Sequence, residues 1–396
     1  MNRLSSGAIL LLCLISGFLP LITDGFLAAI RPVMSDFQVP LSAAQAAISV
    51  VLLGCACAQL FVGALADRYG RRPVLSVAIS LFIAASVGMA FAPSLPTLLL
   101  FRFLQGASAA AGPILARAIV RDVYNRGDGA RVLSIVAMGL TLIPLLVPSL
   151  NAFIVAQFSW RATAVVYVVV LSIALVMTRQ VLHETLRPED ATPIQFSTVI
   201  DAARQALGNR RVLGYILCCV TGYGGLAVWV SASPHLITGW YGRPTLQFGL
   251  YWSISILAYL AGGWASVRLL RRTTPDRILA FGGYVVLAAA VALACAYHFA
   301  IHTLGAFLLG VSLYNFGWAM LQPNAQSGAL APFHSSAGRV SALLGFLQLT
   351  GGALIAQLFG RLHDGTPWAA VVLMSAAALG HVAIRRWLCP LSSVAY

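Results

Sequence analysis

Between two long apolar runs the chain reads GALADRYGRRPV (Gly63 to Val74), and this stretch decides how its surroundings are read. Asp67, Arg68, Arg71 and Arg72 lie within six positions, yet no charged residue occurs across 38–66 or 73–101. Each flank is long enough to cross a hydrocarbon layer about 30 Å thick as a helix, which takes roughly 20 residues. The stretch therefore reads as a short charged connection between two antiparallel membrane helices. Gly70 suits the tight turn, and Gly63 permits a close helix approach. Asp67 can accept from the backbone N–H groups that open the next helix, or pair with an arginine.

The pattern repeats along the whole chain. Its 396 residues are 60% hydrophobic and 9% charged, with a mean hydropathy of +0.87. Soluble domains carry about 25% charged residues, which excludes that class. A membrane barrel would show alternating strands of about ten residues, whereas these runs are continuous. The reading is an all-α membrane protein with spans near 7–30, 43–65, 74–92, 95–118, 132–157, 162–182, 212–237, 246–267, 278–297, 303–331, 340–360 and 368–388. The first run is too long for a secretory signal and has no small-residue cleavage pattern, so it counts as the first span.

The net charge of +14 is entirely arginine, with no lysine. One set of connections holds Arg68, Arg71, Arg72, Arg117, Arg121, Arg126, Arg131, Arg268, Arg271, Arg272, Arg277 and Arg339; the other holds only Arg31, Arg161, Arg243 and Arg361. Such asymmetry marks the rich side as cytoplasmic, so both termini are expected there, and it explains the charge without nucleic acid. The longest polar stretch, within 183–211, reads as a cytoplasmic linker between six-helix bundles at 1–182 and 212–396. A six-plus-six layout is that of a secondary transporter built from repeats.

Other chemistries lack their residues. No P-loop, G-x-S-x-G or H-E-x-x-H pattern occurs, and GYGGLA (Gly222 to Ala227) sits in an apolar run with no strand before it. The cysteines Cys13, Cys55, Cys57, Cys218, Cys219, Cys295 and Cys389 have neither zinc spacing nor a disulfide framework. Neither an enzyme nor a metal site is expected. A channel would need a continuous polar lining, which the spans do not show.

The 63–74 stretch resembles the cytoplasmic loop signature of the major facilitator superfamily. ITDGFLAAIRPV, RFLQGASAAAGP, RDVY, HETLRPE and LQPNAQSGALAPFHSSAGRVSALLGFLQ resemble, in order, segments of its bicyclomycin-resistance (Bcr/CflA) exporters. The resemblance covers nearly the whole chain and implies the major facilitator fold, alternating access and proton-driven export of small molecules. It implies no cofactor, the proton gradient being the energy source. One segment departs. The fifth span reads IPLLVPSLNAFIV, keeping Pro144 and Pro148 but placing Ser149, Leu150 and Asn151 where the family carries glycines.

Asp24 is the carboxylate of the first span, and a charge at mid-helix costs about 2.5–3.5 kcal/mol, so it normally faces a cavity or a partner. Counting about 1.5 Å per residue puts Asp24, Arg102 and Asn151 at one depth, roughly 9–10 Å from the outer ends of their helices. An Asp24–Arg102 ion pair, released on protonation, is the expected proton coupling. Asn151, Gln105, Tyr223, Asn315, Gln322 and Asn324 are expected at the substrate cavity, with Asn151 equally suited to an interhelical hydrogen bond. Gly63, Asp67, Arg68, Gly70, Arg71, Arg72, Arg121 and Asp122 form the expected cytoplasmic gate. No charge is expected inside the spans of the second half. The expectation is a monomeric proton-driven antiporter of the bacterial inner membrane. It exports a small, partly apolar molecule such as a drug, or alternatively a self-made metabolite such as a siderophore.

Overall fold

The structure is a computed structural model that describes residues 4–124, 126–186, 196–333 and 337–389. Among these, twelve helices are long and apolar enough to cross a membrane. The chain divides into two compact units, Met1–Phe196 and Ser197–Tyr396, each with six of the twelve.

In the first unit, the leading helix α1 is built in pieces: Ser6–Ser16, Phe18–Thr23, a 3₁₀ segment Asp24–Ala29, and Ile30–Phe37. It is followed by α2 (Leu41–Tyr69), α3 (Arg71–Ala90), α4 (Leu95–Val123), α5 (Arg126–Gln157) and α6 (Trp160–Val181). The second unit holds α7 (Arg210–Trp240), α8 (Thr245–Leu269), α9 (Pro275–His298), α10 (Leu304–Leu330), α11 (Gly338–Leu362) and α12 (Trp368–Leu388). Within the expected linker, Phe196–Gly208 is a helix, while 187–195 lie outside the described residues, as do parts of HETLRPE and of the α10–α11 segment.

Two boundaries differ from the sequence reading. The first span ends at Phe37 rather than 30, so Asp24 is near its middle rather than about six residues from its end. Polar residues such as Arg31, Ser35 and Asp36 lower the hydropathy there without breaking the helix. Arg117 lies inside α4, which continues to Val123, rather than in a connection.

Packing in the first unit turns on close approaches. A Cβ on Gly17 would lie 1.8 Å from Cδ1 of Ile143, and one on Gly25 would lie 2.6 Å from Nδ2 of Asn151 and 2.8 Å from Cγ1 of Val147. Gly139 meets Cys13 in the same way. Residues 139, 143, 147 and 151 recur at the helical four-residue spacing, and their contacts on α1 rise in parallel through 13, 17 and 25. The two helices therefore run in the same direction. Of the fifth-span positions that depart from the resembled pattern, Asn151 is received by Gly25 of α1.

Candidate functional site

Arg102 has no solvent exposure, and each of its three guanidinium nitrogens donates to a neutral acceptor. Its Nε donates to the carbonyl of Ala47 at 3.1 Å, one terminal nitrogen to Oε1 of Gln105 at 2.9 Å, and the other to the carbonyl of Ile22 at 2.7 Å. The guanidinium also stands 4.2 Å from the Phe26 ring centre. Gln105 passes the chain on, donating to Oγ of Ser86 at 2.9 Å. Arg102 thus ties α1, α2 and α4 together, and Gln105 extends the tie to α3. The Ile22 carbonyl belongs to the turn where α1 changes from α to 3₁₀ geometry, a change that shifts the internal bonding from i,i+4 to i,i+3.

The expected Asp24–Arg102 ion pair is absent. The Asp24 carboxylate instead takes a hydrogen bond from the Thr23 hydroxyl at 2.9 Å. Coulomb attraction favours a direct pair, but each of the three guanidinium nitrogens already donates to a carbonyl-type oxygen, which fixes the group without one. Of residues 21–30, Asp24 alone is not buried.

The shared level of Asp24, Arg102 and Asn151 holds even though the first boundary was misjudged. Asn151 packs against Gly25, the residue after Asp24, and Tyr167 of α6 joins it, its hydroxyl 3.2 Å from the Gly25 Cβ position. Asn151 is fully buried, and neither its amide nitrogen nor its oxygen has a hydrogen-bond partner. It is an interhelical residue, not one on an open cavity wall. Tyr167 was missed by sequence reasoning because an aromatic in an apolar run gives no sign of what it faces.

The 63–74 connection forms a charge cluster at one end of the first unit. Gly70 closes α2 at φ +97°, and a Cβ there would also lie 2.6 Å from Oε2 of Glu184, so glycine is required twice over. Arg71 is nearly buried, its Nε donating to Oδ2 of Asp122 at 2.9 Å and its NH1 bonded to Asp67. Glu184, just past α6, accepts from the backbone N–H groups of Arg71 at 2.9 Å and Arg72 at 3.0 Å. A carboxylate at a helix N-terminus satisfies its free donors and complements its dipole. The Arg72 side chain donates to the carbonyl of Arg179 at 2.7 Å at the end of α6.

The expected gate is therefore assembled in part. Asp67, Gly70, Arg71, Arg72 and Asp122 converge. Arg68 lies exposed over the Tyr69 ring, and Arg121 is exposed and makes none of these bonds. Gly63 has open space where a Cβ would stand, so it is not the close-approach glycine expected of it. Glu184 was not foreseen, although it stands in the quoted HETLRPE segment immediately after an apolar run. At the other end of the unit, Asp36 accepts from Trp160 Nε1 at 3.0 Å and from Arg161, joining the end of α1 to the start of α6.

The second unit carries its polarity differently. Trp229 stacks on Trp252 at 5.7 Å and 9° between planes, and its Nε1 donates to Oγ of Ser255 at 3.3 Å. Tyr314 donates to the carbonyl of Gly222 at 3.2 Å, and Tyr223 lies 6.1 Å from Trp318. Asn324 is spent on Ser266 and the carbonyl of Met320 at 3.1 and 2.6 Å. Gln322 donates to Gln348 at 3.3 Å and Asn315 is buried, which leaves Tyr223 and Gln322 as the cavity candidates of this unit with accessible surface. The expectation of no intramembrane charge in this half is corrected. Arg385 in α12 is nearly buried and donates to Tyr284 at 3.2 Å, one turn beyond the fully buried His381. Both lie in a run whose mean hydropathy masked them.

Twelve spanning helices in two six-helix units, with a carboxylate at mid-span and a charge cluster at one unit end, define a secondary transporter. Residues 10–356 match the family described as Major Facilitator Superfamily, and the chain belongs to it. Multidrug resistance protein D of Escherichia coli is 28% identical, covering 92% of this chain and 90% of the relative. Multidrug resistance protein MdtL of Escherichia fergusonii is 30% identical over 84% of this chain and 82% of its own length. The bicyclomycin resistance protein homolog of Haemophilus influenzae is 24% identical, covering 92% of each. In fold, the crystal structure of a D-xylose–proton symporter is similar with a TM-score of 0.77 at 16% identity, covering 94% of this chain and 96% of that one.

Proposed function

We propose that this chain is a proton-driven antiporter that exports small, partly apolar molecules of the drug type across the bacterial inner membrane. The reading takes its substrate class from relatives named for multidrug and bicyclomycin resistance. It takes its energy coupling from one observation: Asp24 alone among 21–30 is not buried, at the middle of a membrane-spanning helix. A carboxylate there is costly when ionised and cheap when neutral, so loading and unloading a proton changes which environment the helix tolerates. Arg102 acts as the brace that fixes the backbone under Asp24 rather than as its counter-ion.

In this reading the Asp67–Arg71–Asp122–Glu184 cluster lies on the cytoplasmic side with both termini. It closes the inner ends of α2, α3, α4 and α6 when the inside is shut. Charge-assisted hydrogen bonds are roughly twice as strong as neutral ones, so each weighs on a balanced two-state equilibrium. The protein works as a monomer without a cofactor.

The test uses everted membrane vesicles energised to a proton gradient and monitored with acridine orange. Adding a transported compound, bicyclomycin among those tried, should release protons through the parent. Asp24→Asn should release none at matched expression. Proton release by Asp24→Asn equal to the parent would remove Asp24 from the coupling. Profiling which compounds accumulate in cells lacking the chain decides between foreign drugs and a self-made metabolite such as a siderophore.

A further inference from the structure

Among the described residues of the first unit, Asn151 is the side chain that has two buried polar atoms without a hydrogen-bond partner. It has no solvent exposure, both polar atoms lack partners, and it lies against Gly25 beside the Asp24 backbone. An unsatisfied buried polar group costs about 1–3 kcal/mol, so any arrangement that gives the Asn151 amide a partner gains by that amount.

We propose that Asn151 is the docking partner of the protonated Asp24 carboxyl, which leaves Thr23 for the amide when it takes up a proton. The inference rests on the reading that Asp24 carries the proton. A primary amide and a neutral carboxylic acid match in two bonds: the acid O–H donates to Oδ1 while Nδ2 donates to the acid carbonyl. A carboxylate can take only the second, and it faces Oδ1 acceptor to acceptor. The Asn151 amide therefore selects the neutral form, while the Thr23 hydroxyl, a donor, selects the ionised one.

Thr23 is equipped for the exchange. Its hydroxyl lies 2.9 Å from Asp24 Oδ1 and 3.0 Å from the carbonyl of Leu19. With a single proton to give, it turns to Leu19 when the carboxyl departs and loses nothing. Gly25 keeps the path short, because any side chain there would occupy the space that Asn151 and Tyr167 now fill.

Of the charged groups on the packed elements, Arg117 of α4 lies about four turns along that helix from Arg102, and the nearer ones are engaged. Arg102 of α4 is taken by Ile22, Ala47 and Gln105, and Arg161 at the start of α6 is taken by Asp36. Tyr167 of α6 lies within electrostatic reach of both Asp24 and Arg102. The stretch of α5 from Gly139 to Gln157 contributes no ionisable residue.

The test is an infrared pH titration of the whole protein in lipid nanodiscs, read on the neutral-carboxyl stretching band that Asp24→Asn removes. No transport is needed. Asn151→Leu should move the midpoint of that band to lower pH by about one unit, a tenfold loss of proton affinity. Thr23→Val should move it to higher pH. Asn151→Ala gives the same reading should the leucine variant not fold. A midpoint unmoved or raised in the Asn151 variants overturns the proposal while leaving Asp24 as the proton carrier. Absence of any band removed by Asp24→Asn overturns that carrier role, and this inference with it.

Discussion

Arg102 in the first unit and Trp229 in the second are both large, buried side chains, yet they hold their helices by different means. Arg102 spends its donors on α1, α2 and its own helix, so its contribution depends on direction and on every partner being present. Trp229 offers area, stacking on Trp252 and lying 6.0 Å from Phe307, with a single hydrogen bond. The contrast extends outward. The first unit has ionic clusters at both ends, around Arg71 and around Asp36. The second unit pairs Arg211 with Asp276 at 2.8 Å, and otherwise relies largely on aromatic and amide contacts. A charged brace fails sharply when one partner is lost, because the stranded groups have no water to turn to. An apolar stack fails gradually.

The largest expected effect comes from the first side of that comparison. Arg102→Leu strands two carbonyls and the Gln105 amide, and should destabilise the protein by about 3–4 kcal/mol. Thermal unfolding in detergent, followed by size-exclusion fluorescence, reads it. Trp229→Leu keeps much of the buried area and should cost about 2 kcal/mol in the same assay. Equal losses would erase the distinction between brace and stack.

Next comes the cluster around Arg71. Asp122→Asn removes one of two carboxylates from a nearly buried guanidinium and should shift the two-state equilibrium by about 1 kcal/mol. Cysteines placed along the inner faces of α4 should then label faster from the cytoplasmic side, with Glu184→Gln acting the same way. Unchanged labelling in both would mean that the cluster only shapes the loop.

The smallest effect lies in the turn between α11 and α12. There the Thr366 hydroxyl and backbone N–H hold the Asp364 carboxyl below its ordinary range. A depressed carboxylate stabilises the fold above its unfolded value and loses that contribution as pH falls through the folded value. Thr366→Val should lower stability slightly at neutral pH, leave the acid end of the stability curve unchanged and so flatten its acid limb, as read by thermal unfolding across pH.

The sequence carried the spans, the two halves and the connection at 63–74, because apolar runs and arginine placement are one-dimensional signals. It carried Asp24, Arg102 and Asn151 as a group, since a rise per residue is enough to compare depths. It could not carry partners. Arg102 was expected to seek the nearest acid, but three backbone and amide oxygens were nearer, and a run of letters does not show which carbonyls a helix break leaves available. Glu184 and Tyr167 stayed hidden for the same reason, as they matter through neighbours more than a hundred residues away. Gly25 makes room for Asn151 from another helix, which no reading of the fifth span alone could reveal.

The 3₁₀ segment at Asp24–Ala29 has a mechanical consequence. A 3₁₀ helix rises about 2.0 Å per residue with three residues per turn, against about 1.5 Å and 3.6 for an α-helix. Rewinding those six residues to α geometry would shorten α1 by about 3 Å and turn its Phe37 end by roughly 120° relative to Thr23. The first helix is then a screw whose thread begins at the carboxylate, so an event at one side chain has a pitch and a hand with which to move the helix end beyond it.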